Sequence, residues 1–372
     1  MKTTVRTSER FWNYNYTVLM LCWLGWITIY ICRSILPPAL PILAEELKLT
    51  HAESGMLETA YLIGYIVIKI PAGLMVNKIG IKKTLLIGII GYAISTLLNT
   101  FATSYLHILT LRFLLGLFQG IHLPVSNMLL SERFREKQGK AIGFHESGPN
   151  IGNTIAYPLT VMIISKWSWR AAFLLLSLPA FALALFTSIK LREEKRIEEE
   201  ISIEQPKKGY SLSSFTRFLI PLAVAHAIYN LTLRTFFIFT PSYLVEYKGL
   251  NLQTAGLIAT IIPAVGIIAK ISSGYIAEKI GRKKAICMAT AISGIMIFTL
   301  TIIRSSLTLY LVFILIGMSL YSFSPTIYAA VTTTLPTELK SIGLGTVTMI
   351  GNLGGAVSTY IIGAAIDLMG YN

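Results

Sequence analysis

Charged residues are scarce in this chain of 372 residues, because Asp, Glu, Lys and Arg together make up only 13% of it. A soluble domain carries about 25% charged residues. Hydrophobic residues make up 54% of the chain, and its mean hydropathy is +0.65. This deficit of charge excludes an ordinary soluble protein and indicates a membrane protein.

Cysteine is scarce as well. Cys22, Cys32 and Cys287 each lie in an apolar stretch, with neither a CxxC pair nor a metal-ligand spacing. This pattern predicts no disulfide framework and no zinc site. The chain also lacks a nucleophile elbow, a phosphate-binding loop, paired acids and a metal cluster, so we expect no enzyme, no cofactor and no bound metal.

Long apolar stretches of about 20 residues follow one another, separated by short polar loops, as in transmembrane helices. We predict eleven spans. They lie at about 13–44, 52–77, 83–103, 105–129, 139–165, 169–190, 212–246, 252–278, 284–304, 307–333 and 340–368.

The net charge of +14 follows membrane topology rather than nucleic-acid binding. With the N-terminus placed in the cytoplasm, 22 of the 32 Lys and Arg residues fall in the inner tails and loops, five in the outer loops and five inside predicted helices. The positive-inside rule therefore predicts a multi-pass protein of the cell membrane with a cytoplasmic N-terminus. We expect the lipid bilayer, and no nucleic acid, as a partner.

An internal repeat divides the chain. Several residues recur 201 positions downstream, and the pairs include Arg33 and Arg234, Lys69 and Lys270, and Gly73 and Gly274. Such a constant offset indicates a duplicated unit. We predict an N-terminal six-helix bundle at 1–190, a cytoplasmic linker at 191–211 and a C-terminal bundle of five visible helices at 212–372.

The offset also predicts a twelfth span. Adding 201 to the sixth span, 169–190, places its copy at about 370–391, whereas the sequence ends at Asn372. Either the chain is a truncated product or fragment, or it is an eleven-helix protein. We favour truncation, and this leaves the ability of the chain to complete a transport cycle open.

A loop motif occurs twice at the repeat offset. Its residues are Gly73, Asn77 and Gly80 in the first copy, and Gly274, Glu278, Gly281 and Arg282 in the second. The motif resembles the G-x-L-A-D-R-x-G-R-R loop of the major facilitator superfamily. In that family the glycines permit close helix packing and a tight turn, and the acidic position helps to latch the two halves. Asn77 replaces the acid in the first copy, so we expect a weakened latch there.

This resemblance covers nearly the whole chain and implies an all-α membrane protein with the major facilitator fold, that is, two pseudo-symmetric six-helix halves, here without a visible twelfth helix. It also implies a secondary transporter that works by alternating access.

Five cations inside predicted helices outnumber the carboxylates there, which are mainly Glu58 and Glu146. A charge at a helix centre costs about 2.5–3.5 kcal/mol unless it lines a wet cavity. This imbalance favours an anionic substrate. Arginine presents a planar fork that matches carboxylate or phosphate oxygens, and we predict that Arg33 and Arg234 form an anion clamp.

Helical spacing predicts the neighbours of the clamp. Tyr30 shares a face with Arg33, Tyr65 with Lys69, and His226 and Asn230 with Arg234. The predicted substrate-binding set is Arg33, Arg234, Lys69, Lys270, Tyr30, Tyr65, Asn230 and His226. Glu146 and His145 are the candidates for proton coupling or for a counter-ion.

Arg33, Lys69 and Arg234 also resemble the corresponding residues of the organophosphate:phosphate antiporters. Phosphate or a phosphate ester is therefore slightly favoured, and a carboxylate carried with protons is the alternative. An exchange of anions needs no titrating group, whereas proton symport requires Glu146 or a histidine to titrate. A non-transporting organophosphate sensor stays a further hypothesis, and export of cationic drugs is disfavoured by the scarcity of acids. We expect a monomer.

Overall fold

The computed structural model describes residues 13–193, 212–303, 305–335 and 337–371, and these residues form helices and no strand. Most of the predicted linker therefore lies outside the described residues. The helices of the N-terminal half are α1 Tyr14–Arg33, α2 Leu36–Leu47, α3 His51–Val67, α4 Lys69–Ile79, α5 Ile81–Leu98, α6 Tyr105–Gly120, α7 His122–Arg133, α8 Gln138–His145, α9 Gly148–Lys166 and α10 Trp169–Lys190.

The C-terminal half is built from longer helices. They are α11 Leu212–Ser242, α12 Leu252–Ile280, α13 Arg282–Ile302, α14 Ser306–Thr334 and α15 Thr337–Met369, with a short π-helix at Tyr243–Tyr247 after α11. One hydrophobic core lies wholly within this half, between residues 219 and 347. The limits that we predict for the two bundles stay a prediction.

The predicted count of eleven spans is not reached. Nine helices in the described ranges are long and apolar enough to cross a membrane, and the bent pair α3 and α4 makes ten. The predicted fifth span is instead divided into α8 and α9. It is interrupted where Pro149, which has no N–H, opens a new helix. Glycine, proline and asparagine in the first half of α9 also reduce its hydropathy.

The bundle has two ends. We call the end that carries the loops at 78–83, 133–140 and 279–284 the basic side, and the other end the opposite side. Helices α3 and α15, one from each half, pack closely towards the opposite side. Gly55 makes this approach possible, because a Cβ atom there would lie 2.0 Å from the carbonyl oxygen of Thr359.

Polar contacts join the same two helices at the opposite side. The backbone N–H groups of His51 and Ala52 donate to the carboxylate of Asp367, each over 2.8 Å. The two ring nitrogens of His51 lie 2.8 Å from Asp367 Oδ1 and 2.9 Å from Glu246 Oε2. The two halves are therefore in contact at this end, and the opposite side is closed.

Candidate functional site

A cavity of about 550 Å³ lies between the two halves. Its charged and polar lining residues include Tyr30, Glu146, Asn150, Arg234, Lys270 and Tyr321. The lining extends from Asn153 and Phe237 in the middle of the helices to Gly143, three residues from Lys140 on the basic side. The cavity therefore reaches towards the basic side, while the contact between α3 and α15 closes the opposite side.

Arg234 of α11 lines this cavity and is only partly buried. Among the described residues, its guanidinium has no hydrogen bond and no carboxylate within 4 Å. It acts electrostatically on Glu58, which belongs to the other half. A guanidinium without an anionic partner beside a wet cavity is free to bind the two oxygens of an incoming anion.

Lys270 of α12 lines the same cavity. Its Nζ donates a hydrogen bond of 2.6 Å to Asn150 Oδ1 of α9, and it lies 5.6 Å from the ring centroid of Tyr321. The amide of Asn150 also donates to the Pro263 carbonyl over 3.1 Å. Lys270 is thus held by neutral groups, and its charge is available to an anion.

His226 and Asn230 of α11 also line the cavity. His226 Nδ1 donates to the Val347 carbonyl over 3.1 Å, so its Nε2 is the acceptor for the Asn230 amide at 3.2 Å. These bonds fix a neutral imidazole whose two nitrogens both have partners. The geometry therefore favours His226 as a wall of the cavity rather than as a carrier of charge.

Arg33, the other half of the predicted clamp, has a different environment. It is 2% exposed, forms an ion pair with Glu58, and is not among the residues that line the cavity in the described structure. Its guanidinium carbon lies 4.4 Å from the ring centroid of Tyr61 and 4.9 Å from that of Phe237. In this conformation Arg33 neutralises a buried carboxylate, and its contact with substrate stays a prediction.

Arg112 of α6 shares the carboxylate of Glu58. Its Nη2 lies 2.7 Å from Glu58 Oε2, and its Nη1 donates to the Arg33 carbonyl over 3.3 Å. Two arginines and one carboxylate therefore form a buried network that joins α1, α3 and α6. This network leaves one positive charge in excess behind the cavity.

Lys69 begins α4, directly after a bend of 43° between α3 and α4. Its Nζ lies 4.7 Å from the ring centroid of Tyr65, which stacks on Tyr61 at 6.0 Å. Neither Lys69 nor Tyr65 is among the residues that line the cavity in the described structure. Lys69 and Arg234 act on each other electrostatically, so Lys69 adds to the positive field near the site.

Glu146 follows the last residue of α8, and its side chain is 45% exposed at the cavity wall. It interacts electrostatically with Lys270 across the cavity without forming an ion pair. His145 is completely buried behind it, and its Nδ1 lies 3.8 Å from Glu146 Oε1. The two candidates for coupling are therefore neighbours, and only the carboxylate faces the cavity.

The two copies of the loop motif turn the chain at the basic side. Gly80 and Gly281 have φ angles of 86° and 89°, a conformation that glycine tolerates best. The predicted close packing at Gly73 and Gly274 is not seen, because no atom lies within 4 Å of where a Cβ would stand. These two glycines face open space in a conformation that is open towards the basic side.

The polar residues of the loop motif lie on the basic side. Asn77 and Glu278 are both exposed. Glu278 forms no ion pair within the described residues, whereas Arg282 Nη1 donates to Thr333 Oγ1 over 2.6 Å. The latch that we predict for the acidic position stays a prediction.

Part of the cavity wall was missed by sequence reasoning. Tyr321, Ser324 and Tyr328 of α14 and Asn352 of α15 line the cavity. A spacing of i, i+3 and i+7 on α14 was a signal that could have identified this face. Among the described residues, no group of three or more His, Cys, Asp or Glu side chains could hold a metal ion.

Comparison with known families identifies the class of protein. The model of the Major Facilitator Superfamily matches residues 22–359. The chain therefore belongs to the Major Facilitator Superfamily, a family of membrane transporters, and this agrees with the prediction of a transporter rather than an enzyme.

Several relatives are named for the transport of organic acids. The chain is 25% identical to the hexuronate transporter of Bacillus subtilis (strain 168), over 72% of this chain and 65% of the relative, which is less than two thirds of that protein. It is 25% identical to the D-galactonate transporter of Escherichia coli O6:H1, over 72% of this chain and 68% of that protein. It is 24% identical to the gallate transporter of Pseudomonas putida, over 95% of this chain and 86% of that protein.

Solved structures agree on the fold. A bacterial homologue of the human lysosomal transporter Spinster, in an inward-facing and unoccupied conformation, superposes with a TM-score of 0.82 at 15% identity, over 94% of this chain and 82% of that chain. The nucleoside transporter NupG superposes with a TM-score of 0.80 at 14% identity, over 96% of this chain and 92% of that chain.

Proposed function

We propose that this protein carries a small hydroxylated organic acid, bound as its carboxylate anion, across the membrane by alternating access. The observation that carries the proposal is the charge of the cavity. Arg234, which has no anionic partner among the described residues, and Lys270, which is held only by neutral groups, face the same space. A carboxylate can take a bidentate bond from the arginine and a single bond from the lysine.

The names of its relatives favour a carboxylate over a phosphate ester. Two cations and the carboxylate of Glu146 line the cavity, and the network of Arg33, Arg112 and Glu58 adds a positive charge behind it. This positive field attracts a small anion of either class. The relatives named for hexuronate, D-galactonate and gallate are named for carboxylates. We therefore propose a carboxylate in place of the phosphate that the antiporter resemblance favours.

Neutral polar groups of the cavity can bind the hydroxyl groups of such an organic acid. Tyr30, Asn153, Asn230, Tyr321 and Ser324 offer hydroxyl and amide groups within the same cavity. These groups can exchange hydrogen bonds with substrate hydroxyls. The relatives named for hexuronate, D-galactonate and gallate support this class, because each of these anions combines a carboxylate with hydroxyl groups.

The conformation supports alternating access. The cavity reaches towards the basic side, for which we predict a cytoplasmic location, and the opposite side is closed by α3 and α15. The reverse state requires the contacts of Asp367 and Thr359 with α3 to open. Transport of a proton or a counter-anion with the substrate, and a monomeric state, stay predictions.

Calorimetric titration of the purified protein tests this proposal. We expect hexuronate or galactonate to bind, and Arg234→Gln and Lys270→Gln each to weaken binding at least about tenfold, which is the loss of one charge-assisted hydrogen bond. Lys48→Gln, at an exposed position on the opposite side, serves as the control and leaves affinity unchanged. Binding of glycerol phosphate without binding of any carboxylate would move the protein to the phosphate class.

A further inference from the structure

Three buried aromatic rings form a cluster with the carboxylate of Glu146 beside the cavity. Trp26, His122 and His145 are buried, with exposures of 3%, 4% and 0%. Glu146 completes the cluster, and it alone faces the cavity. The indole ring centroid lies 5.1 Å from that of His122 and 5.7 Å from that of His145. One acidic group thus stands between water on one side and three aromatic rings on the other.

Two buried nitrogens in this cluster have no hydrogen-bond partner. They are Nδ1 of His145 and Nε1 of Trp26. A buried donor left unpaired is unfavourable. His145 Nδ1 lies 3.8 Å from Glu146 Oε1, which is too far for a hydrogen bond, and the indole of Trp26 interacts with the same carboxylate. A rotation of the Glu146 side chain would bring the carboxylate within range of both.

His122 determines which nitrogen of His145 carries the proton. His122 Nε2 lies 3.0 Å from the Cys22 carbonyl, so it must be the donor there. The same nitrogen lies 3.3 Å from His145 Nε2. A proton on His145 Nε2 would face the N–H of His122, so His145 Nε2 is the unprotonated nitrogen and shares that N–H as a second acceptor. A neutral imidazole whose Nε2 accepts has its proton on Nδ1. His145 Nδ1 is therefore a donor that faces Glu146.

We propose that His145 Nδ1 and Trp26 Nε1 form an inner site for the carboxylate of Glu146, which Glu146 occupies when a transported anion binds Lys270. The inference rests on the proposed function. In the unloaded cavity Glu146 interacts electrostatically with Lys270 without forming an ion pair. When the substrate arrives, Glu146 turns inward, and two N–H donors replace the lysine. His122 is a positioning residue, because it keeps His145 in the donating tautomer.

Other groups around Glu146 are consistent with this movement. Lys270 of α12 is the cation that acts on it. The remaining titratable neighbours that it influences are the phenols of Tyr65 on α3 and Tyr328 on α14. Neither phenol offers a positive charge, so Lys270 and the inner site are the two places that stabilise the carboxylate. No proton has to be transferred in the exchange.

Nuclear magnetic resonance of the indole N–H groups tests the inner site without any substrate. The signal of Trp26 is assigned by its loss in Trp26→Phe. Lys270→Gln removes the competing cation, so we expect the Trp26 signal to move downfield as its N–H binds a carboxylate. Adding Glu146→Gln returns the signal to its original position, and Lys166→Gln, an exposed lysine, leaves it unchanged. A signal that is the same in all of these variants overturns the inner site.

A double-mutant cycle of substrate affinity tests the competition. His145→Leu removes the inner donor, so Glu146 stays at Lys270, and the Kd for hexuronate rises about tenfold. His145→Asn keeps a donor near the same position and restores affinity. In the Glu146→Gln background, His145→Leu has no effect. An equal loss of affinity in both backgrounds overturns the competition.

The two readouts separate this inference from the proposed function. If no organic acid binds but the Trp26 signal moves as expected, the assignment of substrate fails and the inner site stands. If acids bind and the Trp26 signal never moves, the proposed function stands and the inner site fails.

Discussion

At the scale of single residues, the main finding concerns the partner of each intramembrane cation. Arg33 and Arg112 share Glu58 in a dry network, whereas Arg234 faces the cavity. The sequence identifies all of these charges and the excess of cations over acids. It cannot tell which arginine meets the acid, because this depends on how α1, α3 and α6 are rotated against one another.

Glu58 stabilises the N-terminal half through this network. Glu58→Gln leaves two buried guanidinium groups without a counter-charge, so we expect the free energy of unfolding to fall by about 3 kcal/mol or more. Titration of the detergent-solubilised protein with sodium dodecyl sulfate, followed by circular dichroism, measures this change.

Glu45→Gln is the matched control for that measurement, because Glu45 is exposed. We expect its free energy of unfolding to stay within about 0.5 kcal/mol of the unchanged protein. Equal stability of the Glu58→Gln and Glu45→Gln variants would show that the buried network contributes nothing.

At the scale of helices, the closure of the opposite side depends on α3 and α15. Neither the hydropathy pattern nor the internal repeat predicts this contact, since each describes one half at a time. His51 lies between the carboxylates of Asp367 and Glu246, and Tyr371 donates to Glu246 Oε2 over 3.1 Å. A protonated imidazole donates to both carboxylates, whereas a neutral one donates to only one of them.

We therefore expect Asp367→Asn to open the opposite side. We also expect a rise in pH to open it in the unchanged protein, because His51 then loses the proton with which it donates to both carboxylates. The separation of the two halves is measured by double electron–electron resonance between two spin labels. The labels are attached at Thr103→Cys and Leu307→Cys, which are both exposed positions, in a protein whose exposed Cys287 has been replaced. Longer distances are expected in both cases. Glu136→Gln, at an exposed carboxylate in the 133–140 loop of the basic side, leaves the distances unchanged, and a closed opposite side in Asp367→Asn would refute the role of this contact.

Helix breaks show where sequence reasoning fails at this scale. The fifth predicted span is interrupted between α8 and α9, and the second is bent between α3 and α4. Pro149 and Pro71 follow these breaks closely. Apolar composition cannot locate such breaks, because a span keeps its hydropathy whether or not its axis bends. The break at Glu146 places that carboxylate at the cavity wall.

At the scale of the whole molecule, the repeat and the loop motif were sufficient to predict the family and the fold. Arg234, Lys270, Tyr30, His226 and Asn230 line one cavity, and their contact with a substrate stays a prediction. The repeat and the loop motif could not predict that Arg33 and Lys69 lie outside that lining, because an exact twofold symmetry does not hold in a conformation open to one side.

The central claim is that Arg234 and Lys270 bind the carboxylate of a transported organic acid. Counterflow in proteoliposomes tests it most directly, with vesicles loaded with unlabelled galactonate or hexuronate and labelled acid outside. The account predicts accumulation of label by the unchanged protein and by Lys48→Gln, and none by Arg234→Gln. Undiminished counterflow in Arg234→Gln, or counterflow of glycerol phosphate alone, would contradict the account.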